Sequence, residues 1–161
     1  SITGSCAYVE MWAAIVIGCG GGLVYLLASE LTLKVLKIDD PLDATAVHYF
    51  CGAYGLLCGG IFANPKMVSF IGVFADNARG GFIYPGAGGE LLAAQLVEIA
   101  VVTAWTAGLV TPLFLVLHMF GILRVAPDVE EEGLDSSAHG GAAYPEMYAD
   151  MAGGKVVASK A

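Results

Sequence analysis

The chain has 161 residues, of which 57% are hydrophobic and 14% are charged, and its net charge is −8. Soluble domains carry about 25% charged residues, so this composition excludes an ordinary soluble globule and predicts an integral membrane protein. The sequence has no cluster of basic residues, which argues against nucleic-acid binding. Glycine is abundant, with 22 residues, as suits helices that pack closely in lipid.

The first predicted membrane span covers residues 11–34. It begins with the apolar run MWAAIVIGCGGGLVYLLA and continues into LTLKVLKI, which gives it the length of about 17 to 25 residues that a crossing needs. Trp12 marks one membrane interface and Lys34 marks the other. Gly18 and Gly22 form a GxxxG pair, a spacing that is typical of a helix-packing face.

The second predicted span covers residues 42–63 and follows the sequence DDP. Asp39 or Asp40 is predicted to cap this helix, with Pro41 in its first turn. A helical period places His48 on one stripe with small residues, namely Ala44, Gly52, Gly55 and Gly59. Small residues indicate a closely packed face, so His48 is predicted to point into protein or a cavity and away from lipid.

A glycine-rich loop and a third span complete the membrane region, which is predicted to occupy residues 1–124. The loop covers 64–89. The span covers 91–123, which exceeds the roughly 20 residues of a straight crossing, and Pro112 is a predicted kink within it. Residues 125–161 are polar and acidic, and are predicted to form an extramembrane tail that a partner orders. The predicted fold class is all-α, with three transmembrane helices.

The sequence offers no sign of enzyme chemistry. It contains no nucleophile–base arrangement and no metal-ligand spacing, and GAGGE at 86–90 has no strand–helix setting of the kind a dinucleotide site needs. The four cysteines show no CxxC spacing and are interpreted as small packed hydrophobic residues. We therefore expect no enzyme activity, no cofactor and no metal site.

Four segments, in order along the chain, resemble ammonium transporters of the plant and algal type. They are VEMWAAIVIG, LKIDDPLDATAVHYFCGAYG, FIYPGAGGELLAAQLVEIAVVTAWTA and ILRVAPDVEEEGLDSSAHGGAAY. The resemblance covers about residues 5–145 and corresponds to the C-terminal third of the family's chain. It implies that the three spans are the last three of eleven helices, in a protein whose subunits form trimers with one pore each.

The resemblance gives His48 a role, since this residue matches the second of two pore histidines whose rings share a hydrogen bond at mid-membrane. Such a pair can relay a proton while a neutral amine crosses the apolar pore. Ser137 falls on the position of a regulatory phosphorylation in the family's tail, where a phosphate would add negative charge. The implied ligand is ammonium or ammonia. The implied location is the plasma membrane, with an organelle inner membrane as the alternative.

Several residues depart from the family pattern. Tyr49 and Phe50 stand where the family keeps a glycine and a second small residue. Tyr54 replaces a tryptophan, Met11 a proline and Glu90 a lysine. The family's first eight helices and its first pore histidine have no counterpart in the matched segments. We therefore expect other integral membrane subunits as partners, together with the lipid bilayer.

Two functional hypotheses follow. In the first, the chain is the C-terminal part of an ammonium channel and conducts once a partner chain supplies the other helices. In the second, it is a non-transporting accessory subunit derived from a transporter, and it stabilises a larger respiratory or photosynthetic membrane complex. A fragment of an intact transporter is the third option.

Overall fold

The computed structural model describes residues 1–70, 79–134 and 141, and its regular structure there is helical. Within these ranges, three helices are long and apolar enough to cross a membrane. Among the described residues there is no β-strand. Val9 and Ala63 form an isolated antiparallel β-bridge. The structure thus confirms an all-α membrane chain with three spans. It divides into two compact units, Ser1–Thr106 and Ala107–Ala161.

The first span consists of α1, Met11–Glu30, which continues directly into a π-helical turn, Leu31–Val35. Lipid offers no hydrogen-bond partners, and a helix satisfies its backbone polar groups internally, so an apolar run of this length is helical. The span ends shortly before Lys37, whose φ of +53° is left-handed and incompatible with a continuing helix.

The second span begins with a π-helical segment, Thr45–Phe50, and continues as α2, Cys51–Phe62. It therefore starts later than the predicted residue 42. Pro41 lies in the turn before the helix, not in the first helical turn as predicted. The physical reason is Asp43, whose left-handed φ of +53° interrupts the helical geometry between Pro41 and Thr45.

A small core holds the first two spans together within the unit Ser1–Thr106. Its buried residues come from the segment before α1, from α1 itself and from α2, namely Val9, Ala13, Ile17 and Cys58. Trp12 packs edge-on against Phe62, with 5.7 Å between the ring centroids. The amide of Asn64 donates to the carbonyl of Tyr8 at 2.8 Å, so the N-terminal segment is also fixed at the end of α2.

The glycine-rich segment predicted as a loop over 64–89 contains a short helix, α3, Pro65–Phe70. After the interval 71–78, which lies outside the description, the chain returns to the end of α2. The amides of Gly81 and Phe82 donate to the carbonyls of Ala63 and Gly60, at 2.7 and 3.0 Å. These carbonyls have no partner within α2, because the last turn of a helix leaves its acceptors free.

The third span is α4, Glu90–Met119, which contains Pro112. It ends before the predicted residue 123 because Gly121 is left-handed, with a φ of +69°. The amide of Gly121 donates to the carbonyl of His118 at 3.0 Å, and that of Ile122 donates to Leu117 at 3.2 Å. This pair of bonds is the Schellman arrangement, which satisfies the last carbonyls of a helix and terminates it.

Beyond the third span, the tail opens with α5, Pro127–Glu132, which has a proline at its start and ends at Gly133. Arg124 and Glu130 form an ion pair of 2.6 Å, in which both side chains are largely exposed. The description of the tail reaches residue 134 and resumes only at 141. Ser137, the predicted phosphorylation site, lies outside the described residues.

Candidate functional site

His48 lies in the π-helical segment at the start of the second span, and its side chain is exposed in this chain. It lines an open groove of about 320 Å³. The other lining residues come from the N-terminal segment and from the same helix, namely Ser1, Thr3, Gly4, Val47, Gly52, Gly55 and Leu56. The groove is open on one side, so the described residues form a wall around His48 and not a closed passage.

Asp40 caps the helix that carries His48. Its two carboxylate oxygens accept the amides of Ala44 and Thr45, at 2.9 and 2.7 Å. The hydrogen bond from the Thr45 amide is the main cause that holds the pKa of Asp40 below its ordinary value. Hydrogen bonds from the Thr45 hydroxyl and the Ala44 amide act in the same direction. Asp40, one of the two aspartates predicted as caps, therefore meets the helix start with its carboxylate, and Asp39 is exposed.

Asp43 joins the start of the same helix to α1 and is not among the residues predicted from the sequence. One carboxylate oxygen accepts the hydroxyl of Tyr25 at 2.8 Å, and the other accepts the hydroxyl of Ser29 at 2.7 Å. A usable signal was present, since Tyr25 and Ser29 are four residues apart on one face of α1. Two hydroxyls on one face of a spanning helix need polar partners, and the next acidic cluster along the chain supplies one.

Two aromatic residues, Tyr49 and Phe50, directly follow His48 in the chain. Tyr49 and Phe50 pack edge-on, with 5.3 Å between ring centroids and 83° between ring planes. The Tyr49 hydroxyl lies 3.3 Å from that of Thr103 on α4. Tyr49 therefore contacts α4 at a position where the resemblance leads one to expect a glycine.

The predicted packing glycines occupy two different environments. A Cβ on Gly55 would overlap the backbone of Ser1, and one on Gly59 would lie 2.9 Å from the Tyr8 hydroxyl, so both lie at close contacts. Around Gly18, Gly22 and Gly52, by contrast, the described residues leave open space. The glycines by which α1 approaches its neighbours are the two between the predicted pair, Gly20 and Gly21.

The rotation of α1 about its own axis explains which of its glycines make close contacts. Gly20 faces the side chain of Tyr54 on α2, and Gly21 faces Ser1. The face that carries Gly18 and Gly22 is turned away from these contacts. GxxxG spacing shows that two glycines share a face, but it does not say which neighbour that face meets.

A second polar cluster lies at the other end of the first two spans. The Glu10 carboxylate accepts the indole N–H of Trp12 and the side-chain amide of Asn64, both at 2.6 Å. The side-chain oxygen of Asn64 in turn accepts the amide of Lys66 at 2.9 Å and so caps α3. Glu10 and Asn64 thus link the beginning of α1 to the end of α2.

Neither the contacts around Asp40 and Asp43 nor those around Glu10 and Asn64 are arranged as a metal site. Within residues 1–70 and 79–134, no group of three histidine, cysteine, aspartate or glutamate side chains could hold a metal ion. The acidic oxygens of Glu10, Asp40 and Asp43 are instead engaged by hydroxyl, amide and indole donors of the chain itself.

Comparison with known proteins places these features in a family. The model of the Ammonium Transporter Family matches residues 1–144. Ammonium transporter 1 member 2 of Arabidopsis thaliana is 44% identical over 144 residues, which are 89% of this chain and 27% of the relative. Ammonium transporter 3 of Dictyostelium discoideum is 43% identical over 144 residues, covering 89% of this chain and 32% of the relative.

A rice protein, ammonium transporter 1 member 3, is 40% identical over 144 residues, which are 89% of this chain and 28% of the relative. The chain thus spans less than a third of the length of these curated relatives. The match runs through all three spans and includes the groove with His48. The three apolar helices and the family match together identify the chain as an integral membrane protein that belongs to the ammonium transporter family.

Proposed function

We propose that this chain forms the histidine-bearing wall of a pore for ammonium or ammonia. The observation that carries the proposal is the exposed position of His48, on a membrane-spanning helix and in an open groove. A polar, titratable ring is costly against lipid, so such residues face protein or a water-filled cavity. The open side of the groove is therefore the side that further polypeptide covers, supplied either by a longer chain or by a partner subunit.

The chemistry of His48 suits this task. Ammonium is a cation, and moving a charge into an apolar passage is expensive, whereas neutral ammonia crosses at little cost. Imidazole titrates near neutral pH and can accept a proton through one nitrogen while it donates through the other. In the proposed cycle ammonium gives a proton to the relay that contains His48. Ammonia then crosses, and the relay returns the proton to ammonia on the far side.

The second histidine of such a relay would come from outside these 161 residues. Two imidazoles in contact titrate as a coupled pair, which eases proton transfer between them. The membrane proposed for this protein is the plasma membrane, following the family, with an organelle inner membrane as the alternative. A phosphate on Ser137 would add charge to an already acidic tail and would serve as a switch.

The bulk beside His48 favours a second candidate function, that of a non-transporting accessory subunit. Tyr49 and Phe50 occupy space that the family resemblance leaves small, and Tyr49 reaches α4. If this packing blocks passage, the chain keeps the membrane fold of a transporter and uses its exposed helix faces to stabilise a larger assembly. The two functions differ in whether ammonium crosses.

The test is a fusion that completes the transporter. The part of the Arabidopsis relative that this chain does not match is joined to the 161 residues and expressed in yeast that lacks ammonium uptake. We expect growth on low ammonium and uptake of labelled methylammonium, with both lost in His48→Ala. The matched control is His118→Ala, which changes an exposed histidine outside the groove and should leave uptake intact.

Absence of uptake by a fusion that reaches the membrane would overturn the pore proposal and favour the accessory role. Equal uptake by the unmodified fusion and by His48→Ala would remove His48 from the pathway. Mild purification of the native chain, followed by mass spectrometry, provides the complementary test. A partner with the remaining transporter helices supports the pore, whereas respiratory or photosynthetic subunits support the accessory role.

A further inference from the structure

Asp43 makes a two-point attachment between the first two spans. Its carboxylate accepts the Tyr25 hydroxyl with one oxygen and the Ser29 hydroxyl with the other, at 2.8 and 2.7 Å. A single hydrogen bond would let the second helix pivot about the contact. Two bonds to residues one turn apart on α1 fix both the position and the rotation of the segment that carries Asp43.

The attachment acts at the point where the helix of His48 begins. The carbonyl of Asp43 accepts the amide of Val47 at 2.9 Å, and this is among the first backbone bonds of that helix. Asp43 itself has a φ of +53°, so the chain changes direction at this residue before becoming helical. Aspartate tolerates the left-handed region better than most residues, and here its side chain is held by α1.

The distance along the chain from Asp43 to His48 is also significant. The π-helical segment begins at Thr45, and the backbone bond that Asp43 accepts comes from Val47, the residue before His48. His48 is five residues after Asp43, so little more than one helical turn separates the attachment from the imidazole. Any rotation at Asp43 is therefore passed to His48 with little opportunity for the intervening turn to absorb it.

We propose that Asp43 is a positioning residue, which sets the rotation of the second span and so aims His48 into the groove. Its oxygens are engaged by α1 and do not form a ligand site. The effect of Asp43 on conduction rests on the proposed pore function, whereas its effect on His48 orientation does not. The two can therefore be tested apart.

The orientation is tested by NMR of the full chain, labelled with ¹⁵N-histidine and reconstituted in lipid. The chain has three histidines, so the spectrum is simple, and His48→Ala assigns the relevant signals. We expect Asp43→Ala to shift the His48 signals and to leave those of His118 in place. The Tyr25→Phe, Ser29→Ala double variant removes the same two bonds from the other side, and it should produce the same shift.

Combining all three substitutions decides between positioning and general damage. If Asp43 acts through Tyr25 and Ser29, the triple variant shifts His48 no further than Asp43→Ala alone, because the two sets of changes remove the same interaction. Additive shifts, or an unchanged His48 signal in Asp43→Ala, would overturn the proposal. If Asp43→Ala does not fold, the single variants Tyr25→Phe and Ser29→Ala each still report a partial shift or its absence.

Conduction is measured separately in the completed fusion. Asp43→Ala should lower methylammonium uptake by about tenfold, since small displacements of a reacting group cost large factors in rate. A fusion that fails to conduct, together with the expected NMR shift, would overturn the pore and support the positioning role. A conducting fusion that Asp43→Ala leaves unchanged, with an unshifted His48, would overturn the positioning role and leave the pore standing.

Discussion

The hydroxyl of Tyr49 lies 3.3 Å from the hydroxyl of Thr103 and so ties the residue beside His48 to α4. The direction of this hydrogen bond follows from a second contact. Thr103 donates its only hydroxyl proton to the carbonyl of Ile99 at 2.6 Å, so Tyr49 is the donor and Thr103 the acceptor. Tyr49, the bulky residue after the histidine, is thus held by an edge-on ring contact with Phe50 and by a hydrogen bond to Thr103.

We predict that Tyr49→Gly raises methylammonium uptake in the completed fusion, because it removes bulk next to His48. Tyr49→Phe is the matched control, since it keeps the ring and removes only the hydroxyl. It should leave uptake unchanged and lower the free energy of unfolding by about 0.6 kcal/mol, the typical value for one hydrogen bond between membrane helices. Lower uptake in Tyr49→Gly than in the unmodified fusion would show that the tyrosine supports the pore.

We predict that Asp40→Ala lowers the melting temperature in a pH-dependent way. The pKa of Asp40 is below its ordinary value of 3.8, chiefly because the Thr45 amide donates to the carboxylate. A depressed pKa in the folded state means that Asp40 stabilises the protein fully above that ordinary value. This stabilisation is lost as the pH falls through the lower, folded-state pKa.

The measurement for Asp40 is a series of thermal unfolding curves in detergent from neutral pH down to the acid limit of stability. The difference in melting temperature between the native chain and Asp40→Ala should be constant at neutral pH and shrink at acidic pH. A difference that grows on acidification has the wrong sign and would contradict the capping role. Lys66→Ala, which changes an exposed charge on α3 and leaves the bonds of Asp40 intact, should show no comparable trend.

We predict opposite outcomes for two helical glycines. A Cβ on Gly60 would lie 2.8 Å from the Cα of Leu92, so Gly60→Ala forces backbone to move and should cost about 1 to 3 kcal/mol. Gly22→Ala meets open space among the described residues and should change stability by less than about 0.5 kcal/mol. Unfolding of both variants in detergent tests the difference.

The same glycine pair also reports on assembly. Gly22→Ala is expected to leave the stability of the isolated chain unchanged. If it lowers the stability of the completed fusion, the added helices cover the face of α1 that carries Gly22. Equal destabilisation of the isolated chain by Gly22→Ala and Gly60→Ala would contradict the packing described for α1.

We predict that Asn64→Ala lowers the free energy of unfolding by about 2 kcal/mol, because Asn64 links the beginning of α1 to the end of α2. The substitution removes the cap of α3 and one donor to the Glu10 carboxylate, and each loss contributes about half of this value. Trp12 also donates to Glu10 and is a natural fluorescent reporter of the cluster. Lys66→Ala is the control, since it retains the backbone amide that Asn64 accepts. No change in Trp12 emission or stability in Asn64→Ala would contradict this link.

The sequence was sufficient to predict the three spans, because long apolar runs have few stable conformations other than a helix in lipid. It was less informative about where the spans begin and end. The later start of the second span depends on the left-handed backbone of Asp43, and the earlier end of the third depends on Gly121. Both are single-residue conformations that hydrophobic patterns do not encode.

Contacts between residues that are far apart in the sequence were not predicted. Asp43 binds Tyr25 and Ser29 across 14 to 18 residues, and Tyr49 contacts Thr103 across 54. Such pairs depend on how the helices are rotated relative to one another. For the same reason the GxxxG spacing on α1 correctly marks a shared face, yet the close contacts of this chain fall on other glycines. The role of His48 came from family resemblance, and remains a prediction.

The most direct test of the central claim is transport by purified protein. The completed fusion is reconstituted into liposomes, an ammonium gradient is applied, and the ammonium-dependent current and internal pH are recorded. If His48 lies in the conducting wall, His48→Ala should reduce the current by about a hundredfold, the usual scale for loss of a proton-transfer group. His118→Ala should conduct normally. Equal currents from the unmodified fusion and from His48→Ala would contradict the account.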